Sequence, residues 1–318
     1  MSLEPQSQAV LNALNASGLL PFRQLDPVSM RLKMLSLRPA RPAGPMHEVA
    51  SVTEETIATP DGAFRVRILK PRTAGPDEVM PVVIYFPGGG FFGGGIDETD
   101  ELVRRIAKDA DVVVVNVDYH LSPEAKFPVA VNDAYAALCW VAEQAARLGV
   151  DPGRIVLAGD SSGGNLTVIT CLTARERGGP AIRFQAAIYP SLDLRARPQY
   201  ASRLQWGGGG YVLENDDIEW MLDAYLADRA DANSWRASPI MAETYAGLPP
   251  ALVVTASHDP LCDEGKLYAD RLSTEGVPVE YTCFEDTFHG FIGYAGVLEI
   301  GARGLTLVCD RIRAAVWP

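Results

Sequence analysis

The segment Ile155-Val156-Leu157-Ala158-Gly159-Asp160-Ser161-Ser162-Gly163-Gly164 sets a serine inside a Gly-x-Ser-x-Gly pattern, after a run that reads as a strand and before one that reads as a helix from Asn165. A tight strand-to-helix turn exposes the serine hydroxyl for attack on a carbonyl, and glycine at 159 and 163 removes Cβ clashes beside a strained backbone. The helix N-terminus favours developing negative charge. Ser161, central to the pattern, is the expected nucleophile, and the N–H of Ser162 is expected to point at the oxyanion.

Such a serine needs a base, and the chain has four histidines. His47 lies before the sheet, in a linker region. His120 comes too early for the order serine, acid, histidine that this turn implies. His258 adjoins the best acid candidate, and neighbours leaving a strand point apart. His289 remains, in Thr287-Phe288-His289-Gly290-Phe291 after the strand-like run Val279 to Phe284, with a glycine that lets the loop bring the imidazole over the serine. The expected acid is Asp259, just beyond the apolar run ending at Ala256, at the strand end where ligands bind in such sheets. Its task is to hold the tautomer of His289 and stabilise the imidazolium. Asp263 and Glu264 open the next helix, where carboxylates cap N–H groups or offset the dipole.

A second donor loop follows the strand Pro81 to Phe86. In Phe86-Pro87-Gly88-Gly89-Gly90-Phe91 three glycines can adopt positive φ and turn several N–H groups toward one point. Gly88, Gly89 and Gly90, with Ser162, are the expected oxyanion donors. Phe91 and Phe92 beside this loop, and Trp206 and Tyr211 further on, are candidates for the acyl or alcohol pocket; plain packing would place aromatics there equally well.

These residues need a frame. Residues 5–16 and 27–36 read as amphipathic helices, and Arg38 to Pro45 is a linker in which three prolines forbid helix. A strand from Val49 to Ile57, the turn Pro60-Asp61-Gly62 and the alternation Phe64, Val66, Ile68 make a hairpin. Apolar runs at Pro81 to Phe86, Val112 to Val117, Ile155 to Ala158, Ala186 to Tyr189 and Ala251 to Ala256 suit strands covered on both faces. Helix-like stretches separate them: Thr99 to Ala110, Val131 to Leu148, Asn165 to Arg177, Gly265 to Glu275 and Val297 to Ala314. The alternation predicts an α/β fold, a mostly parallel sheet with helices on both faces. Residues 195–245 break it with the run Gly207 to Gly210 and an aromatic helix around Trp220 and Tyr225, and read as an inserted cap. The expected organisation is N-terminal cap helices and linker at 1–45, core at 46–194 and 246–318, and cap insertion at 195–245.

The 318 residues, 47% hydrophobic, suffice for one large core. A net charge of -12 excludes a nucleic-acid backbone as partner, which needs a basic surface. No basic n-region precedes an apolar segment at the start, and no apolar run reaches the roughly 20 residues that span a bilayer. A cytoplasmic protein is expected. Five widely spaced cysteines without a CxxC pair fit reduced thiols rather than a disulfide or zinc framework.

Together these pieces resemble the hormone-sensitive-lipase-like family of bacterial esterases, from about Val82 to Phe291. They are the Gly-Asp-Ser-Ser-Gly-Gly turn, Asp118-Tyr119-His120-Leu121-Ser122-Pro123-Glu124 leading to Phe127-Pro128 and Asp133-Ala134-Tyr135, the Asp-Pro-Leu-x-Asp-Glu-Gly segment at Asp259, and His289-Gly290-Phe291. The resemblance implies an α/β-hydrolase core, a helical cap built partly from the N-terminus, no cofactor, and hydrolysis of short-chain carboxylic esters. The same triad serves amides, formamides or lactones, and related plant hormone receptors bind small molecules on this fold after losing the histidine. A homodimer is left open. Pro87 departs from the family, whose glycine loop usually begins with a histidine that tethers it. Proline fixes φ instead, and is expected to keep activity while altering the loop's set or substrate preference.

Overall fold

A computed structural model of the chain describes residues 2–37, 46–75, 78–196 and 199–317; the expected linker at 38–45 lies outside them. Eight strands form one sheet: β1 (Ser51–Thr59), β2 (Gly62–Lys70), β3 (Met80–Phe86), β4 (Val113–Asp118), β5 (Val150–Asp160), β6 (Phe184–Ile188), β7 (Ala251–His258) and β8 (Val279–Phe288). Their spatial order is β1-β2-β4-β3-β5-β6-β7-β8. β2 runs antiparallel to both neighbours, and every other pairing beyond it is parallel.

The period of two in a strand explains the two cores. Along β3, Val82, Ile84 and Phe86 enter one buried cluster while Val83 and Tyr85 enter the other. The first cluster is closed by α4 (Val129–Glu143), α5 (Ala145–Leu148), α6 (Ser162–Arg177) and α9 (Cys262–Thr274). The second is closed by α3 (Asp100–Ala110) and α10 (Glu299–Val316). Each large side chain buried in this way contributes about 1.5–3 kcal/mol of transfer free energy.

Three expected elements differ most. The helix from Val131 to Leu148 is two, divided at Gln144. β5 starts at Val150, with Pro152 and Gly153 exposed before the buried run begins at Ile155. β8 continues past Phe284 to Phe288, because a register shift lets Phe288 pair with His258. Polar Glu285, Asp286 and Thr287 disguise this extension of an edge strand.

Further α-helices among the described residues are α1 (Pro5–Ala16), α2 (Pro27–Leu37), α7 (Ala201–Trp206) and α8 (Asn215–Tyr225). The N-terminal segment and α8 are joined. Arg23, between α1 and α2, bonds Glu214 at 2.6 Å and the buried Asp217 at 3.0 Å. Phe92, beyond the glycine loop, packs against both Phe22 and Trp220.

Candidate active site

Ser161 follows β5 directly, with φ 55° and ψ -117°. A non-glycine residue in that region carries about 1–3 kcal/mol of strain, which the surroundings must hold. Here the serine N–H donates to the carbonyl of Ile188 at 2.9 Å, and its carbonyl accepts from the N–H of Ser191 at 3.2 Å. A Cβ at 159 would collide with the carbonyl of Gly163, and one at 163 with the carbonyl of Phe86. Only glycine fits at either place.

Adjacent strands deliver the other two residues, since Asp259 follows the end of β7 and His289 the end of β8. The Nδ1 of His289 lies 2.7 Å from Asp259 Oδ2, and its Nε2 lies 2.9 Å from Ser161 Oγ. A carboxylate only accepts, so Nδ1 carries the proton and Nε2 accepts from the serine hydroxyl. Asp259 is fully buried, and its second oxygen accepts the N–H of Leu261 at 2.8 Å. The Tyr189 ring meets the imidazole edge-on at 5.0 Å. This relay can take a proton from Ser161 and return it, which is what nucleophilic attack on a carbonyl requires.

The glycine loop after β3 differs in one residue from the expectation. Gly89 and Gly90 have φ of 139° and 61° and line the same cavity as Ser161 and Ser162. Ser162 is the first residue of α6, so its N–H has no intrahelical partner. The N–H of Gly88, by contrast, donates to Asp160 Oδ1 at 2.9 Å, and the hydroxyl of Tyr85 donates to the same oxygen at 2.7 Å. Gly88 thus anchors the loop instead of facing the cavity. Burial pushes the Asp160 carboxyl above the ordinary range, against the pull of those two hydrogen bonds.

The stretch from Asp118 to Glu124 holds the loop at both ends. Tyr119 donates its hydroxyl to the carbonyl of Pro87 at 2.6 Å, and the N–H and hydroxyl of Ser122 both reach the carbonyl of Phe91, at 2.8 and 3.1 Å. His120 serves this stretch and not the reaction: its N–H and ring Nδ1 both meet the buried Asp133, at 2.9 and 2.8 Å. His47 bonds Glu101, and His258 bonds Ser257 at 2.9 Å.

The cavity over Ser161 has a volume of about 210 Å³. Phe91 and Phe92 line it as expected, joined by Phe22 and Met34 from the N-terminal segment and by Leu213, Ile218 and Met221 from the stretch before and within α8. Trp206 and Tyr211 do not. Their rings pack against each other at 5.3 Å and against His258 at 4.3 and 5.5 Å, so the expectation of a pocket role is corrected to a stacking one.

Asp263 and Glu264 also act differently from helix caps. Asp263 accepts the N–H of Ser202 at 2.8 Å. Glu264, fully buried, accepts the N–H groups of Leu192 and Asp193 at 2.6 and 2.7 Å and the guanidinium of Arg203 at 2.8 Å. Asp263 ties α7 to α9, and Glu264 ties both α7 and the exit of β6 to it. Residue type alone pointed to α9's own N–H groups; the partners, some 60 to 70 residues away, leave no local signal. Among the described residues, no three histidine, cysteine or acidic side chains are grouped to hold a metal.

A serine at a strand-to-helix turn, a histidine and an acid after later strands, and a glycine loop after β3 define the site of an α/β hydrolase. A sequence model of the alpha/beta hydrolase fold matches residues 83–293. The chain belongs to that family, on its hormone-sensitive-lipase-like branch. It is 34% identical to the carboxylic ester hydrolase LipN of Mycobacterium tuberculosis, over 98% of this chain and 83% of that one. With the ethyl acetate hydrolase of Pseudomonas putida it shares 33% identity over 98% and 99% of the two chains. The structure of a hyperthermophilic esterase from Pyrobaculum calidifontis superposes with a TM-score of 0.91 at 39% identity, covering 99% of both chains.

Proposed function

We propose that this protein is a serine carboxylesterase that hydrolyses short-chain carboxylic esters through an acyl-enzyme on Ser161. The observation that carries the reading is the unbroken line of hydrogen bonds from Asp259 through His289 to Ser161, opening on an apolar cavity of about 210 Å³. Its relatives act on carboxylic esters by name, ethyl acetate among them, which supports the same bond here.

In the proposed reaction Nε2 of His289 takes the Ser161 proton as Oγ attacks the ester carbonyl. The N–H groups of Gly89, Gly90 and Ser162 hold the oxyanion, each such donor contributing about 3 kcal/mol of barrier lowering. His289 then gives its proton to the departing alcohol. Water, activated by the same imidazole, releases the acid. Asp259 keeps Nδ1 protonated and stabilises the imidazolium without itself taking the proton. The N-terminal helices and the described part of 195–245 form the cap in this reading, because Phe22, Met34, Leu213, Ile218 and Met221 line the cavity together with Ser161. The cytoplasm is the proposed location, on the odd number of cysteines, all of them free thiols here; no helix among the described residues is long and apolar enough to cross a membrane.

A panel of p-nitrophenyl acetate, butyrate and decanoate with an anilide and a lactone of matched size tests the reading. The expected result is a burst of p-nitrophenol and preference for the two short esters. Faster turnover of the anilide or lactone than of either short ester would overturn it.

A further inference from the structure

Cys262 and Cys283 face each other with their sulfurs 3.9 Å apart, although 21 residues separate them in the chain. The sheet register explains the meeting. Cys283 is paired with Thr255 across β7 and β8, and α9 turns back over that rung so that Cys262, its first residue, has Sγ 3.7 Å from Thr255 Oγ1. Tyr281 completes the surroundings, its hydroxyl 2.8 Å from Thr255 Oγ1 and its ring under the Lys266 ammonium at 5.5 Å. Neither sulfur belongs to the Ser161 site. Both cysteines are partly exposed, and Cys283 lines a surface groove with Phe284 and Glu285 that gives a small solute access. The other thiols, Cys139, Cys171 and Cys309, lie on α4, α6 and α10, and the last two are buried.

We propose that Cys262 and Cys283 form a redox pair, which a peroxide converts into a disulfide that clamps α9 to β8. The contact with Cys262 holds the Cys283 thiol below the ordinary cysteine range, which favours the thiolate as the attacking form. That thiolate attacks one oxygen of hydrogen peroxide; the O–O bond breaks, a sulfenic acid forms, and the departing hydroxide takes a proton to become water. The Cys262 sulfur, losing its proton, then attacks the Cys283 sulfur and expels the second hydroxide, which leaves as water. Two thiols and one peroxide become one disulfide and two waters. Side-chain rotation has to close the sulfurs by roughly 2 Å, to the bonding distance of about 2.0 Å. The clamp would join the segment that begins three residues after Asp259 to the strand that His289 directly follows, restricting the motions in which acid and base part.

The test treats the reduced whole protein with hydrogen peroxide and follows thiol titration, a non-reducing peptide map and the unfolding midpoint. Two of the five thiols should disappear, one linked peptide should join Cys262 to Cys283, and the midpoint should rise by about 5 °C and fall back with dithiothreitol. In Cys262→Ser the link and the rise should be lost, and dimedone should trap a sulfenic acid on Cys283. Retention of all five thiols, a loss that falls on Cys139 first, or oxidation of Cys283 to an unlinked sulfinic acid would overturn the proposal. None of these readouts depends on ester turnover.

Discussion

Tyr119 donates its hydroxyl hydrogen to the carbonyl oxygen of Pro87 across 2.6 Å, in a buried contact between residues 32 positions apart. The bond fastens the first residue of the glycine loop to the end of β4. A proline there has no side-chain donor and no N–H of its own, so the loop is held from outside, by its carbonyl. Asp160 holds the next residue, taking the N–H of Gly88.

Tyr119→Phe should therefore lower kcat and leave KM nearly unchanged. Donors that drift by a fraction of an ångström lose their grip on the oxyanion, a state absent from the ground-state complex. A fall in kcat of about 10–100-fold is expected. Steady-state kinetics on p-nitrophenyl acetate check it; a rise in KM at constant kcat would place Tyr119 in substrate binding instead.

Asp160 separates a positioning role from a charge effect. Both of its hydrogen bonds end on Oδ1, an atom that an asparagine side chain can supply. Asp160→Asn should stay within about tenfold of the parent in kcat/KM, while Asp160→Ala, which frees Gly88, should lose about a hundredfold. Equal losses in the two variants would show that the carboxylate charge beside Ser161 matters and the tether does not.

Glu264 and Arg203 form an ion pair with side chains 0% and 5% exposed. Removal of one partner strands the other in the interior, so Glu264→Ala should cost about 3–5 kcal/mol in urea unfolding. Replacing both, with Glu264→Leu and Arg203→Met, should recover most of that loss. A single variant as stable as the parent would mean that water reaches Arg203.

What was legible in the amino-acid order was whatever short segments carry by themselves. Ser161 is readable because strand, turn and helix N-terminus are contiguous, and His289 because elimination among four histidines leaves it. The strands covered on both faces, and with them the parallel sheet, are legible in the same way, from short continuous apolar runs that alternate with helix-like stretches. The unreadable parts are pairings across long gaps. Gly88 looks like an oxyanion donor until Asp160, 72 residues later, is seen to take its N–H. Trp206 and Tyr211 look like pocket walls until His258 is found beneath them. The last turn of β8 was hidden because an edge strand can carry Glu285 and Asp286 without burying them.

The most direct test of an acyl-enzyme on Ser161 is rapid quenching during turnover of p-nitrophenyl butyrate, followed by mass mapping of the peptide that contains residues 155–165. A butyryl group on Ser161 that forms with the burst of p-nitrophenol and decays at the rate of kcat is expected. A butyryl group on Ser162 or on a cysteine, or turnover with no covalent adduct, would contradict the assignment.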